Sequence, residues 1–438
     1  MKRWLIGVVI AALVAIGTAV YLTKPPKDES KVEKAQVQKP AVEIKTGNLS
    51  EEYKYFSERE LEDLGLEMDL SQTKYLAGLD LDLLMLGCPV RDCIPSIDGP
   101  EFETVAQADS WLKDADLVLG LELNGIVKAY PVKILNWHEI VNDYLNETPI
   151  AVTYCPLCNS GLVFIRPTLN NKVLEFGVSG RLYKSDLVMY DRQTGSLWSQ
   201  IEGRAIVGPL AGEAERLKLL PIDVVPWGAW KQQHPDTLVL ARPTYATRVG
   251  GQKPKEATPE EREAKTASRA RITAPGLETA GNFLRDYDID PYEFYKINNA
   301  DTFGTPFSDQ RLPAKANVIG VEVGSLAKAY PRELVEKLQL INDKLGEERL
   351  LVVRDPGSGK IRIFKRHVPA LKKVLEFELS EGKLVDKQTA TAWGFDGKSL
   401  EGKLKAQNVK LEELVGVPSF WFAWLAFHPQ TELFAPSK

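Results

Sequence analysis

Residues 118–131 read VLGLELNGIVKAYP, and residues 318–331 read VIGVEVGSLAKAYP. The match continues at the same offset, because IVNDYL ends at Leu145 and LINDKL ends at Leu345. Similarity at one fixed offset indicates an internal repeat, and two copies are typical of a duplicated domain rather than of a solenoid. The sequence therefore predicts two tandem related units.

The residues of each unit predict short strands and two short helices. Alternation of apolar and polar residues favours a strand over residues 117–123, and the Asn124-Gly125 pair after it is typical of a hairpin turn. Because elements this short lie in sequence-adjacent pairs, we expect mostly antiparallel strands and a β-rich α+β fold. In the first unit we predict further strands at residues 150–154, 162–166, 173–178, 187–190 and 204–207, and helices at residues 131–145 and 227–233.

The composition changes along the chain and suggests five segments. Residues 243–287 are charged and poor in large apolar side chains, so we predict a linker there. The predicted segments are a signal anchor (1–23), a charged tether and lead-in (24–83), the first unit with the candidate site (84–242), the linker (243–287) and a second, degenerate unit (288–438).

The N-terminus has the pattern of a membrane anchor. Residues 4–22 are uncharged and apolar, and they follow Lys2 and Arg3. A run of this length nearly crosses a bilayer, and the two basic residues favour a cytoplasmic N-terminus. We therefore expect a transmembrane helix with the bulk of the chain extracytoplasmic, either periplasmic or at the cell surface. A cleaved signal peptide is the alternative.

Charge and composition limit the class of partner. The 438 residues are 44% hydrophobic and 26% charged, with a formal net charge of -5. This balance is that of a globular protein, and it lacks the overall basic charge of a general nucleic-acid binder. The expected partner is the membrane, through the N-terminal helix. No motif identifies a small-molecule or protein partner.

Three features of the first unit are missing from the second. WHE at residues 137–139 faces KLQ at 337–339, and CPLC at 155–158 faces DPGS at 355–358. Most of SGRLYKSDLVMYD, residues 179–191, has no counterpart in the second unit. Features shared by both copies are explained by the scaffold, so the three that are absent together predict one site in the first unit.

Several long motifs resemble a known family. AYPVKILNWHEIVND, PIAVTYCPLCNSGLVF, FGVSGRLYKSDLVMYDRQTGSLWSQ, GPLAG and HPDTLVL are similar to domain of unknown function 3179. The resemblance implies a single domain type, often exported, with the Trp-His-Glu and Cys-Pro-Leu-Cys segments as hallmarks and no established activity. DYDIDPYEFY and the second copy look like the family's C-terminal extension. Cys88 and Cys93 depart from the family, which usually has glycines in this stretch.

The pattern around Cys155 and Cys158 favours metal binding. A strand, a tight turn and a second strand direct both sulfurs to one point, and no helix follows that would lower a thiol pKa. We predict copper or zinc bound by Cys155, Cys158 and His138, with Glu139 or Asp186 the nearest further ligands and Glu139 orienting the site. A thiol–disulfide protein in which Cys155 attacks and Cys158 resolves is one alternative. A module that binds a small ligand or peptide, with the two cysteines bridged, is the other.

The remaining candidates surround these residues. Cys88 and Cys93 lie in a Pro-containing loop, which predicts an ordinary disulfide, although they could instead complete a four-sulfur site. Trp137 adjoins His138 as an accessory residue. In the segment unique to the first unit, Arg181 is a candidate anion ligand. Tyr183, Lys184, Ser185 and Asp186 have the residue types of proton-transfer or nucleophilic machinery, and a polar hairpin turn explains the same residues.

Overall fold

The computed structural model describes residues 43–44, 52–65, 73–244, 247–252 and 285–436. The predicted signal anchor and most of the predicted linker lie outside these residues. Within them, none of the helices has both the length and the apolar character needed to cross a membrane. Residues 73–244 are called the N-terminal half below, and residues 285–436 the C-terminal half.

The elements up to residue 244 are mostly short strands. The strands are β1 (Tyr53–Tyr55), β2 (Lys74–Leu76), β3 (Leu84–Leu86), β4 (Phe102–Glu103), β5 (Leu117–Leu123), β6 (Ile126–Pro131), β7 (Ile140–Leu145), β8 (Thr148–Cys155), β9 (Ser160–Ile165), β10 (Thr168–Leu169), β11 (Lys172–Val173), β12 (Phe176–Tyr183), β13 (Asp186–Asp191), β14 (Leu197–Ser199), β15 (Arg204–Val207), β16 (Leu219–Leu220), β17 (Asp223–Pro226) and β18 (Leu238–Leu240). The helices are α1 (Glu58–Leu64), α2 (Val105–Ala108), α3 (Val132–His138) and α4 (Trp227–Gln233), with a 3₁₀ turn at Leu81–Leu83.

The C-terminal half is built from the same kinds of element. Its strands are β19 (Asn317–Val323), β20 (Leu326–Pro331), β21 (Leu340–Leu345), β22 (Glu348–Arg354), β23 (Ile361–Lys365), β24 (His367–Val368), β25 (Lys373–Val374), β26 (Phe377–Ser380), β27 (Lys383–Asp386), β28 (Ala392–Trp393), β29 (Ser399–Glu401), β30 (Glu413–Leu414), β31 (Val417–Phe420) and β32 (Glu432–Leu433). Its helices are α5 (Glu293–Ile297), α6 (Arg332–Leu338) and α7 (Trp421–Phe427), with 3₁₀ turns at Pro369–Leu371 and Lys405–Gln407.

Small, mostly antiparallel sheets organise both halves. The first three have the strand orders β1-β2-β15-β14-β13-β12-β3, β16-β9-β8-β7 and β17-β5-β6-β18-β4. The C-terminal half has the orders β31-β19-β20-β32, β21-β22-β23-β30 and β26-β27-β28-β29. Strand β18 pairs with β6 in parallel, and β32 pairs with β20 in the same way. The predicted β-rich α+β class is confirmed.

Strand register is the same in the two halves at the 200-residue offset. Val118 pairs with Pro131, and Val318 pairs with Pro331. A buried lysine–aspartate pair follows in each half, Lys128–Asp143 and Lys328–Asp343, both at 2.7 Å. Gly120 and Gly320 face the indole rings of Trp230 and Trp424 so closely that no side chain fits at either position. Equivalent residues therefore occupy equivalent places in the two ranges.

The hairpin of β12 and β13 is longer than its counterpart, β26 and β27. Both hairpins end at an aspartate that accepts a hydrogen bond from a tryptophan Nε1, Asp191 from Trp198 and Asp386 from Trp393. The first hairpin continues from Phe176 to its turn at residues 184–185, whereas the second turns at residues 381–382, directly after Ser380. Of the two described hairpins, only β12–β13 therefore has a tip that extends past the length they share.

The predicted helix at residues 131–145 is wrong beyond His138. Helix α3 ends there, and Glu139 adopts a positive φ of 56°. The β-branched residues Ile140 and Val141 then enter strand β7, where Val141 pairs with Val152. The repeat also predicts that Leu338, the counterpart of His138, lies on the inward face of its helix, and this is wrong, since Leu338 is 40% exposed and His138 is fully buried.

Each half contacts one tight turn of the other, the turn at residues 155–158 or the turn at residues 355–358. The N–H of Phe420, at the end of β31, donates to the carbonyl of Cys158 at 2.8 Å. In the opposite direction, Gln233 at the end of α4 donates to the Asp355 carboxylate at 3.1 Å. The halves therefore share a core, and one hydrophobic cluster contains Trp198 together with Trp421 and Trp424.

Candidate metal centre

The cysteines lie at a turn between two paired strands. Cys155 ends β8 and pairs with Ser160, which begins β9. The four-residue turn closes at Asn159, whose φ is +50°. Cys155 and Cys158 are both free and buried, with exposures of 1% and 0%. The turn thus places two thiols together inside the core.

The tip of the long hairpin lies against these thiols. Lys184 and Ser185 both have positive φ angles, +54° and +65°, as a two-residue turn between twisted strands requires. The Ser185 carbonyl accepts from Cys155 Sγ at 3.7 Å and from Cys158 Sγ at 3.4 Å. Two of the three features found only in the first unit, the cysteine turn and the hairpin tip, therefore meet in space.

Asp186 completes a group of three potential ligands. Its carboxylate and the sulfurs of Cys155 and Cys158 all lie within 4.8 Å of one another. Asp186 is fully buried, and its Oδ2 accepts from the N–H of Ile201 at 2.9 Å. Its Oδ1 is buried without a partner among the described residues. An unpartnered carboxylate oxygen in the core is costly, and a cation is the kind of partner that would offset this cost.

Burial sets the electrostatics of this group. Desolvation raises the pKa of Asp186 to about 7. It raises the pKa of Glu139 to about 8, with a contribution from the Asp186 charge. It also raises the pKa of both thiols, that of Cys158 well above its ordinary range. No described lysine or arginine pairs with either carboxylate. Burial therefore favours the protonated form of all four groups, and a bound cation would compete with their protons.

Glu139 lies near this group but outside the set of ligand atoms within 4.8 Å of one another. It is 7% exposed, and its carboxyl is close enough to Asp186 for their charges to interact. Its carbonyl accepts from the N–H of Tyr154 at 2.8 Å, which fixes its backbone beside the cysteine-bearing strand. Glu139 remains a candidate for a further oxygen ligand.

The structure does not bring His138 into the group. His138 Nδ1 donates to the carbonyl of Pro95 at 2.8 Å, and Nε2 accepts from the Tyr287 hydroxyl at 2.8 Å. Burial lowers the pKa of His138 to about 4, partly offset by the bond to Pro95. Because both ring nitrogens are occupied, the imidazole is satisfied as a neutral core group. The third position predicted for His138 belongs to Asp186 in this geometry.

Residues 287–295 cover the site from the C-terminal half. Trp137 Nε1 donates to the carbonyl of Ile289 at 3.2 Å, next to the Tyr287 contact. Tyr292 and Tyr295 pack against the hydrophobic cluster that contains both cysteines. The Tyr295 hydroxyl is buried with no partner among the described residues. The DYDIDPYEFY motif is the sequence signal for this cover, although the motif alone does not indicate that its tyrosines lie against the cysteines.

The other accessory residues, at positions 181–185, hold the hairpin tip against neighbouring backbone. Arg181 donates to the carbonyl of Gly65 at 3.0 Å, and Lys184 donates to that of Ala426 at 2.8 Å. Ser185 Oγ donates to the carbonyl of Thr302 at 2.6 Å. The Tyr183 hydroxyl accepts from the backbone N–H of Asp80. These contacts fit the polar-turn interpretation, and only the Ser185 carbonyl touches the thiols.

Cys88 and Cys93 form the predicted disulfide, with Cα atoms 6.5 Å apart. The backbone N–H of Cys88 donates to the carbonyl of Gly180 at 2.9 Å, so the loop is fastened to β12. Because their sulfurs are bonded to each other, the alternative of a four-sulfur site is wrong.

Comparison with known proteins gives one match. A family model described as "Protein of unknown function (DUF3179)" matches residues 91–431. No curated protein and no solved structure matches the chain.

Proposed function

Since the chain belongs to the DUF3179 family, whose description names no activity, we propose from the geometry of its site that it binds a zinc ion. Cys155, Cys158 and Asp186 hold the ion in this proposal. The observation that carries it is the approach of their ligand atoms to within 4.8 Å in the core, with one oxygen of Asp186 left unpartnered. Two thiolates and a carboxylate are ordinary zinc ligands.

The mixed ligand set favours zinc over copper. Cu(I) selects soft sulfur ligands, whereas zinc accepts sulfur and carboxylate oxygen together. Oxygen donors lie beside the group as well, among them the Ser185 carbonyl. We assign the fourth position to Glu139, because it is buried and its carboxyl interacts electrostatically with Asp186 and Cys155.

The burial of the ligands favours a structural role for the metal. Cys155, Cys158 and Asp186 are each no more than 1% exposed, so the centre has no open face for a substrate. The ion supplies the positive charge that four buried acidic groups lack, and its binding free energy adds to that of folding. The ligands come from the cysteine turn and the hairpin tip, so the metal joins these two elements.

Burial also argues against the thiol–disulfide alternative. A dithiol catalyst needs an accessible cysteine with a lowered pKa. Here the pKa of both Cys155 and Cys158 is raised, and neither sulfur is exposed. The two thiols suit metal ligation, which replaces their protons, better than nucleophilic attack.

Elemental analysis of the purified full-length protein tests the proposal. After loading with zinc and copper under reducing conditions, the native protein should hold stoichiometric zinc, and Cys158→Ser and Asp186→Asn should hold much less. Glu139→Gln should weaken zinc retention against a chelator. Asp191→Asn is the matched control, because it removes a buried carboxylate from the same strand outside the group. A native protein that retains neither metal would refute the proposal.

We further infer that the protein is exported and anchored by residues 4–22. The disulfide between Cys88 and Cys93 supports an oxidising compartment, and the apolar run supports the anchor. A reporter that is active only in the cytoplasm, fused after Lys438, should be inactive.

We also infer that residues 84–242 and 288–438 are copies of one unit, the second of which lost its metal ligands. The shared strand register supports this inference. So does the polar turn at residues 355–358, which stands in place of the cysteine turn.

A further inference from the structure

A cleft opens between the two halves where edge strands β17 and β31 face each other. Its volume is about 330 Å³. Residues of both halves line it, including Val224 and Pro226 from β17, and Pro418 and Ser419 from β31. The turn at residues 356–359 closes one end. The turn of the C-terminal half that corresponds to the cysteine turn therefore forms part of the wall of this cleft.

Arg354 brings an uncompensated positive charge to this cleft. No carboxylate of a described residue lies within 4.0 Å of its guanidinium. Its Nη1 donates to Gln339 Oε1 at a long 3.4 Å, and its Nε is buried without a partner. A partly buried guanidinium without an anion is unfavourable, so a bound anion would stabilise it.

Ser419 supplies a second unsatisfied polar group in the same cleft. It is 2% exposed, and its Oγ makes no hydrogen bond to a described residue. A hydroxyl in this state can donate to a ligand oxygen without giving up another bond. Two donors that lack acceptors thus line one cavity.

The other charged groups at the cleft have polar partners of their own. Arg332 forms an ion pair with Glu336 at 3.0 Å and donates to the carbonyl of Val224 at 3.1 Å. Asp355, beside the cleft but not in its lining, keeps its charge and accepts from Gly357 N–H at 2.9 Å and from Ser358 Oγ at 2.6 Å. Among the charged residues that line the cleft, Arg354 is therefore the one without an ion-pair partner among the described residues.

We propose that this cleft binds a small organic carboxylate, whose two oxygens pair with Arg354 and accept from Ser419. A planar carboxylate matches the fork of a guanidinium, and one negative charge matches the one that is free. Leu117, Val318 and Ile319 also line the cavity, so the ligand's carbon chain is apolar and short. The cysteine turn reaches this cleft through Asn159, whereas none of Cys155, Cys158 and Asp186 lines it.

Calorimetric titration of the full-length protein with 4-methylpentanoate tests this assignment. The neutral amide 4-methylpentanamide and inorganic phosphate are the comparison probes. The carboxylate should bind, and Arg354→Gln should raise its Kd by roughly tenfold or more, as expected for loss of a charge-assisted pair. Ser419→Ala should raise the Kd by a few-fold.

Arg349→Gln is the matched control, because Arg349 lies on the same strand, β22, but outside the cleft. It should leave the Kd unchanged. The assignment is overturned if the native protein does not bind the carboxylate at millimolar concentration. It is also overturned if the amide or phosphate binds equally well, or if both Arg354→Gln and Ser419→Ala bind like the native protein.

Discussion

His138 is a buried neutral base, and this gives the fold a dependence on acid. Its pKa is about 4 in the folded protein, where burial disfavours the charged ring, and about 6.5 in an unfolded chain. The folded state therefore binds its proton less readily than the unfolded state. The resulting stabilisation is complete above pH 6.5 and is lost as the pH falls from 6.5 to 4. It amounts to roughly 3 kcal/mol.

Denaturant unfolding of native protein and His138→Gln across this pH range measures the effect. The variant should be less stable than the native protein at pH 7, and its stability should fall less steeply between pH 6.5 and 4. His367→Gln, which changes an exposed histidine, should keep the native slope. An unchanged slope in His138→Gln would show that another group causes the acid sensitivity.

The proximity of the two cysteines could be predicted from the sequence, but the identity of the residue beside them could not. Cys155 and Cys158 share one turn, so their proximity follows from local geometry. The choice between His138 and Asp186 depends on where helix α3 ends and on the docking of a hairpin. Both are decided by contacts distant in sequence, such as the one between His138 and Tyr287. A helix continued to residue 145 gave His138 the wrong surroundings.

At the scale of single elements, the β12–β13 hairpin is held at its tip by Ser185. Its Oγ contacts the carbonyls of Thr302 and Phe303 and the hydroxyl of Thr305. Ser185→Ala removes the bonds of a buried hydroxyl to these groups, of which Thr305 is buried, so it should lower the free energy of unfolding by about 1–3 kcal/mol.

Chemical denaturation checks this change, with Ser380→Ala as the control. Ser380 lies beside the turn of the shorter hairpin and is exposed, so its loss should change stability by no more than about 0.5 kcal/mol. Limited proteolysis should cut near residues 302–305 faster in Ser185→Ala than in the native protein. Equal stability of the two variants would mean that the tip contacts contribute nothing.

At the scale of the whole molecule, buried ion pairs connect the two halves. Asp223 accepts from Lys360 at 3.1 Å and from Arg362 at 3.4 Å, and Asp223 and Lys360 are both buried. Asp223→Asn leaves the Lys360 ammonium without its counter-charge, so it should cost about 3 kcal/mol of stability. Lys360→Met in the same chain should restore part of this loss.

A double-mutant cycle on Asp223 and Lys360, followed by denaturant unfolding, measures this coupling. Additive single effects would show that the pair does not connect the halves energetically.

The internal repeat predicts two ranges of similar structure, because the two ranges have similar sequences. It did not predict that each range covers the turn of the other, since that depends on side chains such as Gln233 and Lys360 that face the partner range.

The disulfide between Cys88 and Cys93 affects the order in which the protein matures. A chain emerges N-terminus first, so these two thiols are available before Cys155 and Cys158 are made. Closing their short loop costs less chain entropy than closing the long loop to Cys155. In an oxidising compartment, this order would favour a bond between Cys88 and Cys93 over a bond from either of them to Cys155. Once the C-terminal half has folded, the contact from Phe420 to the carbonyl of Cys158 and the burial of both free cysteines shield them from thiol exchange.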